Sequence, residues 1–133
     1  MEGKGALSGI DWSGQDLSGV QLPGEDLKKA NLSGANLKDA NLSGADLNGA
    51  NLSKSTLTWA KLDGANLAGA NLSSADLRWA KLSRANMRDT NLSRADLSGA
   101  NLFDTNLSRA RLIGANLERV IWEEEEEEEE LEL

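Results

Sequence analysis

Several residue types on which most enzymes depend are missing from this chain of 133 residues. It contains no cysteine, no histidine and no tyrosine, and only one proline and one phenylalanine. Without cysteine there are no disulfides and no thiolate metal ligands. Without histidine, cysteine or tyrosine, the usual combinations of general acid, general base and nucleophile are absent. We therefore expect a protein that is not an enzyme and that has neither a metal site nor a cofactor.

Long apolar segments are also missing. No apolar run approaches the roughly 20 residues that a membrane-spanning helix needs. The residues after Met1 lack the charged and then apolar pattern of a signal peptide. A chain of this length is ordinarily one domain. These features favour a soluble, cytoplasmic protein without a membrane partner.

What the sequence has instead is a large apolar residue at every fifth position from Leu7 to Trp122, twenty-four times in all. We call it the central residue; it is tryptophan at 12 and 122, methionine at 87 and leucine elsewhere. Alanine usually stands two residues before it, and Asn or Asp one before it. Neither the helical period of 3.6 nor the strand period of two fits this spacing. The pattern predicts a short extended side, with Ala and Leu pointing inward, followed by a two-residue corner.

A slower repeat of twenty residues indicates how these sides are arranged. The segment Trp59-Ala60-Lys61-Leu62 returns as Trp79-Ala80-Lys81-Leu82, and serines recur at 13, 33, 53, 73 and 93. Four five-residue units per repeat predict four sides per coil, with residue i beside residue i+20. Neighbouring coils would then lie about 4.8 Å apart. We expect a lead-in at 1–4, the coiled domain at 5–122 and an acidic, low-complexity tail at 123–133.

The A-(N/D)-L-x-x units resemble those of the pentapeptide-repeat family, and the resemblance covers all but the last eleven residues. It implies an all-β fold, namely a right-handed, four-sided parallel β-helix (a β-solenoid) of about six coils of 20 residues. The central residue and the alanine would fill its interior. Departures fall at the ends, where a coil has only one neighbour. We expect Trp12 to cover the N-terminal end and Val120-Ile121-Trp122 to close the other. The alanine positions that differ in the first coil are Ile10, Gln15, Val20 and Glu25.

The most site-like feature is a candidate surface patch formed by Trp59, Lys61, Trp79 and Lys81. Both tryptophans take the same outward position on adjacent coils, so their rings are predicted to stack, with the lysines around the corner. One interpretation is a patch that docks a partner or stacks a ligand, because exposed tryptophan is enriched at interaction hot spots. The other is local packing of the rings with lysine stems laid alongside, which contributes stability alone.

Other repeated polar residues have simpler interpretations. The Asn and Asp before each central residue recur on every side, which indicates corner hydrogen bonds and ladders between coils rather than catalytic carboxylates. The serine column reflects the preference of serine for corners. A nucleic-acid footprint clusters on one face, whereas the late arginines fall on four different sides. This pattern therefore argues against a nucleic-acid partner. These arginines are Arg84, Arg94, Arg109 and Arg119.

Charge separates the body of the chain from its tail. The formal net charge is −8, but nine glutamates follow Trp122, and residues 1–122 carry 14 basic and 13 acidic residues. Adjacent like charges repel, so we expect residues 123–133 to be mobile at neutral pH. The tail is either a natural acidic arm or an appended sequence, and the near-ideal repeats are compatible with a designed or idealised protein.

Two functional hypotheses follow. The first is a non-catalytic β-solenoid scaffold or protein-interaction module with an unknown partner, capable of weak end-to-end self-association through the first coil. The second comes from the resemblance, because some family members mimic DNA and bind a type II topoisomerase such as gyrase. Such mimicry needs an extended acidic surface, which the near-neutral body lacks. A gyrase supercoiling assay separates the two hypotheses.

Overall fold

The fold is a column of stacked turns. A computed structural model describes residues 6–124. In this range the chain forms no helix and no continuous strand, and neighbouring coils pair through isolated parallel β-bridges. Every bridge joins residues twenty apart, from Asp11 with Asn31 to Asn101 with Ile121. The predicted pairing of residue i with residue i+20 is thus confirmed. The lead-in at 1–4 and the tail beyond Glu124 lie outside the described residues.

Each corner is a β-turn that starts at a central residue. At the corner after Leu32, the N–H of Ala35 donates to the Leu32 carbonyl at 3.1 Å. The second corner residue has a positive φ throughout, from 57° at Lys29 to 74° at Gly114. A positive φ at that place is the signature of a type II turn. Glycine adopts it without steric cost. Where another residue occupies a described corner it is Lys, Asp, Ser, Arg or Trp, never a β-branched residue, which would be strongly disfavoured there.

Backbone hydrogen bonds run up and down the column between coils. The N–H of Leu32 donates to the Asn51 carbonyl at 2.7 Å, and the N–H of Asn51 donates back to the Ala30 carbonyl at 2.9 Å. At the corner, the N–H of Gly34 donates to the Ser53 carbonyl at 2.9 Å. The same pattern repeats along the described chain, so the short sides satisfy their backbone groups without forming continuous strands. Within residues 6–124 no helix is available with the length and apolar character needed to cross a membrane.

The Asn and Asp side chains act mainly within their own corner. The Asn31 Oδ1 accepts from the Ser33 N–H at 3.1 Å, and the same bond recurs at most corners. Among the described residues that precede central residues, side chains on neighbouring coils bond to each other at three places, with donor–acceptor distances of 3.1 to 3.4 Å. The predicted corner bonds are therefore confirmed, and the predicted ladders between coils are seen at these three pairs. They are Asn36 to Asp16, Asn41 to Gln21 and Asn66 to Asp46.

The interior is filled as the five-residue pattern predicts. From Leu27 to Leu102, every central residue and every alanine two positions before it is buried, with at most 2% of its surface exposed. Ser55 and Thr90 take the alanine position in two units and are also buried. Their hydroxyls donate to the carbonyls of Leu52 and Met87 at 2.7 and 2.8 Å, so no buried polar group is left unpaired there.

The C-terminal end of the described column differs from the prediction. Trp12 is half-buried against the core, but Trp122 is 51% exposed and does not close the C-terminal end. Val120 packs against the core only in part. Among residues 6–124, the coil that contains Trp122 has a neighbour on one side only, so no described residue above it holds the indole over the interior. Gln15 and Glu25 are exposed and do not enter the core.

Candidate functional site

The two outward tryptophans form a stacked pair. The ring centroids of Trp59 and Trp79 lie 5.2 Å apart, and their planes differ by 17°. Stacking, predicted from the twenty-residue repeat, is confirmed. Both residues occupy the second corner position, with φ of 61° and 59°. They remain 50% and 42% exposed.

The direction of these rings follows from a rule that holds at several corners. A side chain at positive φ leans over the next coil, and a glycine twenty residues later receives it. Arg94 lies over Gly114, where an ideal Cβ would be 3.3 Å from Cγ of the arginine. Trp79 lies over Gly99 still more closely, with Cδ1 at 2.5 Å from such a Cβ. The missing side chain at 99 therefore makes room for the ring of Trp79, on which Trp59 stacks.

A groove of about 290 Å³ lies beside the pair. Of the four predicted patch residues, Trp59, Trp79 and Lys81 line this groove, and Lys61 does not. Lys61 bridges to Lys81 through the backbone and is exposed. The sequence prediction missed the residues on the other side of the groove. They could have been found by writing the sequence in rows of twenty, which places them above the tryptophans. We call this surface the tryptophan groove; its further lining residues include Gly99, Asn101 and Ile121.

Of the charged residues around the groove, one forms an ion pair with a neighbour and two do not. The Arg78 guanidinium lies 5.5 Å from the ring centroid of Trp79. It also donates to both carboxylate oxygens of Asp76, at 2.9 and 2.8 Å. These hydrogen bonds lower the pKa of Asp76 below its ordinary value, although its partial burial opposes the shift. Lys61 and Lys81, by contrast, form no ion pair with any residue between 6 and 124.

Other polar clusters in the described column have structural roles. Lys28 lies 3.2 Å from Asp26 and 3.3 Å from Asp46, and Arg109 lies 2.9 Å from Asp89 one coil earlier. Between residues 6 and 124, no group of three or more His, Cys, Asp or Glu is placed to hold a metal ion.

The twenty-residue register also determines where the repeated serines and the four late arginines lie. The Ser33 and Ser53 hydroxyls donate to the Asn of their own corner at 2.7 Å, which satisfies them locally. The register puts the four late arginines at four different corners, as predicted. One of them, Arg84, lies 5.6 Å from the ring centroid of Phe103. The four arginines therefore share no binding face.

The sequence itself identifies the family. The model for pentapeptide repeats matches in eight copies, over residues 6–34, 26–58, 50–89 and 80–119. The chain belongs to the pentapeptide-repeat family. This pentapeptide-repeat protein is therefore a β-helical repeat protein, and the parallel bridges and four corners per twenty residues agree with that assignment.

Solved pentapeptide-repeat proteins from photosynthetic organisms are similar to it. Rfr23 from the cyanobacterium Cyanothece 51142 is 39% identical over 73% of this chain, with a TM-score of 0.39, and the chain spans 63% of that protein's length. A protein from Nostoc PCC 7120 is 32% identical over 80% of this chain and 83% of its own, with a TM-score of 0.50. One from the Arabidopsis thaliana thylakoid lumen is 36% identical over 86% and 69%, with a TM-score of 0.33. No curated protein is significantly similar to the chain in sequence.

Proposed function

We propose that this pentapeptide-repeat protein is a non-catalytic protein-interaction module. A right-handed, four-sided β-solenoid of about six coils would serve as a rigid scaffold, and a protein partner would bind at the tryptophan groove. The observation that carries the proposal is the exposed, stacked pair of Trp59 and Trp79 at positive φ.

This pair costs stability at both positions. A residue with a side chain loses roughly 1–2 kcal/mol in the left-handed conformation. The same corner carries glycine at Gly19 and Gly99, so the fold does not require a side chain there. Stacking contributes about 0.5–1.5 kcal/mol beyond the area that the rings bury, so packing offsets part of this cost. About half of each indole nevertheless faces solvent, and a binding surface uses such indoles as rigid anchors.

The chemistry of the groove indicates what kind of segment it would bind. The exposed indole faces suit a planar or apolar side chain. Lys81 in the groove and Lys61 beside it suit a carboxylate. We propose a partner segment in which an aromatic or proline residue stands next to an acidic one.

Selection from a displayed library of random peptides would test this function. The full chain is the bait, and the double variant Trp59→Gly/Trp79→Gly is the counter-selection bait, because glycine fits these corners and should preserve the fold. We expect enriched peptides to combine aromatic or proline residues with acidic ones and to lose binding to the double variant.

A matched control is Ile113→Ala, which removes an isolated apolar side chain that is 82% exposed on another corner. Its peptide binding should equal that of the unchanged protein. Peptides that bind the double variant as tightly as the unchanged protein would contradict the proposal. So would a selection that enriches no sequence at all.

A further inference from the structure

The floor of the tryptophan groove is a row of residues on successive coils. Lys81 bridges to Asn101 and Asn101 bridges to Ile121, so the row climbs the column one coil at a time. At the usual strand spacing of about 4.8 Å, Lys81 and Ile121 stand roughly 9.6 Å apart along the column axis. The floor is therefore cationic at the Lys81 end, carries an amide in the middle and is apolar at the Ile121 end.

The wall of the groove is made of indole surface. Trp79 leans over Gly99, so that Nε1 of the ring stands 2.7 Å from the place of a Cβ on that glycine. Trp59 extends the wall one coil below, with its ring centroid 5.2 Å from that of Trp79. Because Gly99 has no side chain, the wall is flat where it meets the floor. A flat aromatic wall of this kind suits the rigid ring of proline.

The polar side-chain atoms of the groove are hydrogen-bond donors. The lysine ammonium and the indole N–H donate and cannot accept. The Oδ1 atom of Asn101 accepts from the Phe103 N–H at 2.9 Å, and its Nδ2 group is a donor. The floor carbonyls already accept N–H groups of the coil below, at 2.7 to 2.9 Å. The groove therefore matches a ligand that brings carbonyl and carboxylate oxygens rather than N–H groups.

The length of the floor favours one backbone conformation for such a ligand. A polyproline II helix has three residues per turn, so side chains three positions apart point the same way at about 9.3 Å. A β-strand returns to the same face every two residues, at about 6.6 Å, which matches neither one coil nor two. An α-helix uses its carbonyls in its own hydrogen bonds. A polyproline II segment has no internal hydrogen bonds, and each proline in it removes one N–H.

We infer that the tryptophan groove binds an acidic, proline-containing segment of a partner protein in the polyproline II conformation. An acidic side chain lies over Lys81, and an apolar side chain three positions away lies against Ile121. The proline rings between them pack on the indoles, and a backbone carbonyl accepts from Nδ2 of Asn101. This inference rests on the proposed function, which it narrows to one conformation and one spacing.

Titration of the isotope-labelled full chain with short, capped peptides, followed by NMR, tests the inference. The core peptide is Glu-Pro-Pro-Leu between glycine flanks. It should shift the indole N–H signals of Trp59 and Trp79 and the side-chain amide signal of Asn101. The indole signal of Trp12, in the first coil, should stay in place. Single Trp→Phe variants assign the indole signals.

Altered peptides separate conformation and spacing from composition. Glu-Ala-Ala-Leu keeps the acidic and apolar residues without the preset conformation, and Glu-Pro-Leu-Pro moves the leucine to two positions from the glutamate. Each should bind about tenfold more weakly than the core peptide, because more chain freedom is lost or one contact is missed. Gln-Pro-Pro-Leu removes the charge and should bind about threefold more weakly, as expected for a solvent-exposed ion pair.

Variants of the protein test the two polar contacts. Asn101→Asp keeps an acceptor for the Phe103 N–H but replaces the donors with a carboxylate, and it should weaken binding of the core peptide about tenfold. Its matched control is Asn91→Asp, on another side of the column, where the same atom accepts from the Ser93 N–H at 3.0 Å. Lys81→Gln should bind Glu-Pro-Pro-Leu no better than Gln-Pro-Pro-Leu. Lys54→Gln, at an exposed corner elsewhere, should keep the preference for the acidic peptide.

The outcomes distinguish this inference from the proposed function. Equal affinity for Glu-Pro-Pro-Leu and Glu-Ala-Ala-Leu, lost together in Trp59→Gly/Trp79→Gly, would overturn the inference and leave the proposed function standing. Binding of the core peptide that the double variant retains would overturn both. If no peptide of this set shifts the indole signals, the inference is wrong, and the library selection alone decides the proposed function.

Discussion

The indole of Trp79 lies directly over the backbone of Gly99, twenty residues further along the chain. An ideal Cβ on Gly99 would stand 2.5 Å from Cδ1 and 2.7 Å from Nε1 of that ring. A methyl group at position 99 and the observed position of the ring therefore exclude each other. The stack of Trp59 on Trp79 therefore depends on the absence of a side chain at position 99, one coil above it.

Gly99→Ala should displace Trp79 and disturb its stacking on Trp59. Its φ is +72°, so alanine also incurs the left-handed cost of roughly 1–2 kcal/mol. Gly69→Ala is the matched control, because its φ is +68° and its Cβ would meet nothing within 4 Å. Urea denaturation should show both variants less stable. Only Gly99→Ala should change the tryptophan emission of the folded state, and identical spectra for the two variants would refute the contact.

Lys54→Gly should stabilise the protein, although it removes a side chain. Lys54 is exposed and has a φ of 58°, which an L-residue adopts at a cost of roughly 1–2 kcal/mol. Glycine avoids this cost but loses more chain entropy on folding, about 0.5–1 kcal/mol. The net gain should be about 0.5 kcal/mol in the free energy of unfolding. Lys38→Gly, at the first corner residue, should lose stability instead, and a gain of equal size there would show that the turn assignment is wrong.

Leu67→Ala should lower the free energy of unfolding by roughly 2–5 kcal/mol, because it leaves a cavity in the closed interior. Leu67 has no exposed surface, as its position in the five-residue pattern predicted. Leu17→Ala, in the partly open first coil, should cost less. The neighbouring Ala68→Ser should stay within about 0.5 kcal/mol. Chemical denaturation that gives equal losses for Leu67→Ala and Ala68→Ser would contradict the packing.

Acid should remove the contribution of Asp76 to stability. Its hydrogen bonds from Arg78 lower its pKa below the ordinary value of 3.8, so its ionised form stabilises the fold above that pH. The contribution falls as the pH drops through the lowered pKa. Asp76→Asn keeps the corner bond, as Asn31 does elsewhere, and loses the ion pair. The stability difference between the unchanged protein and this variant should be present near neutral pH and vanish in strong acid.

The control for this experiment lies one coil further on. Asp96 accepts a hydrogen bond from the Ser98 N–H at 3.0 Å and forms no ion pair with a described residue. Asp96→Asn should therefore cost less stability near neutral pH than Asp76→Asn does. Equal losses for the two asparagine variants would show that the Arg78 bonds do not stabilise the fold.

The sequence predicts the interior of this protein better than its surface. The burial of Leu67 and the pairing of residue i with residue i+20 follow from periods that every unit repeats. The stack of Trp59 and Trp79 also follows, since the register alone brings the rings together. The groove does not follow as directly, because it depends on which way Trp79 leans and on the missing side chain at Gly99. The sequence shows the glycine at 99, but it does not show that the ring of Trp79 tilts toward it.

The C-terminal end is where the prediction was wrong, and the reason is physical. A large apolar residue at the end of a pattern suggests a cap, which is why Trp122 was expected to close the column. Capping, however, needs a neighbour that holds the ring over the core, and the last described coil has none above it. Sequence periodicity predicts how a repeat packs when it has a neighbour on each side. It predicts little about a terminal repeat, which has a neighbour on one side only.

The fixed twenty-residue spacing of the bridges also determines how this chain can fold. No bridge in the described column closes a longer loop than any other, so the entropy lost per added coil is the same along its length. Two adjacent coils must form together before either buries its leucines, so we expect the formation of such a pair to be the slow step. Each later coil then adds to an existing edge at constant cost. Lengthening such a chain would raise its stability while leaving the barrier to nucleation unchanged.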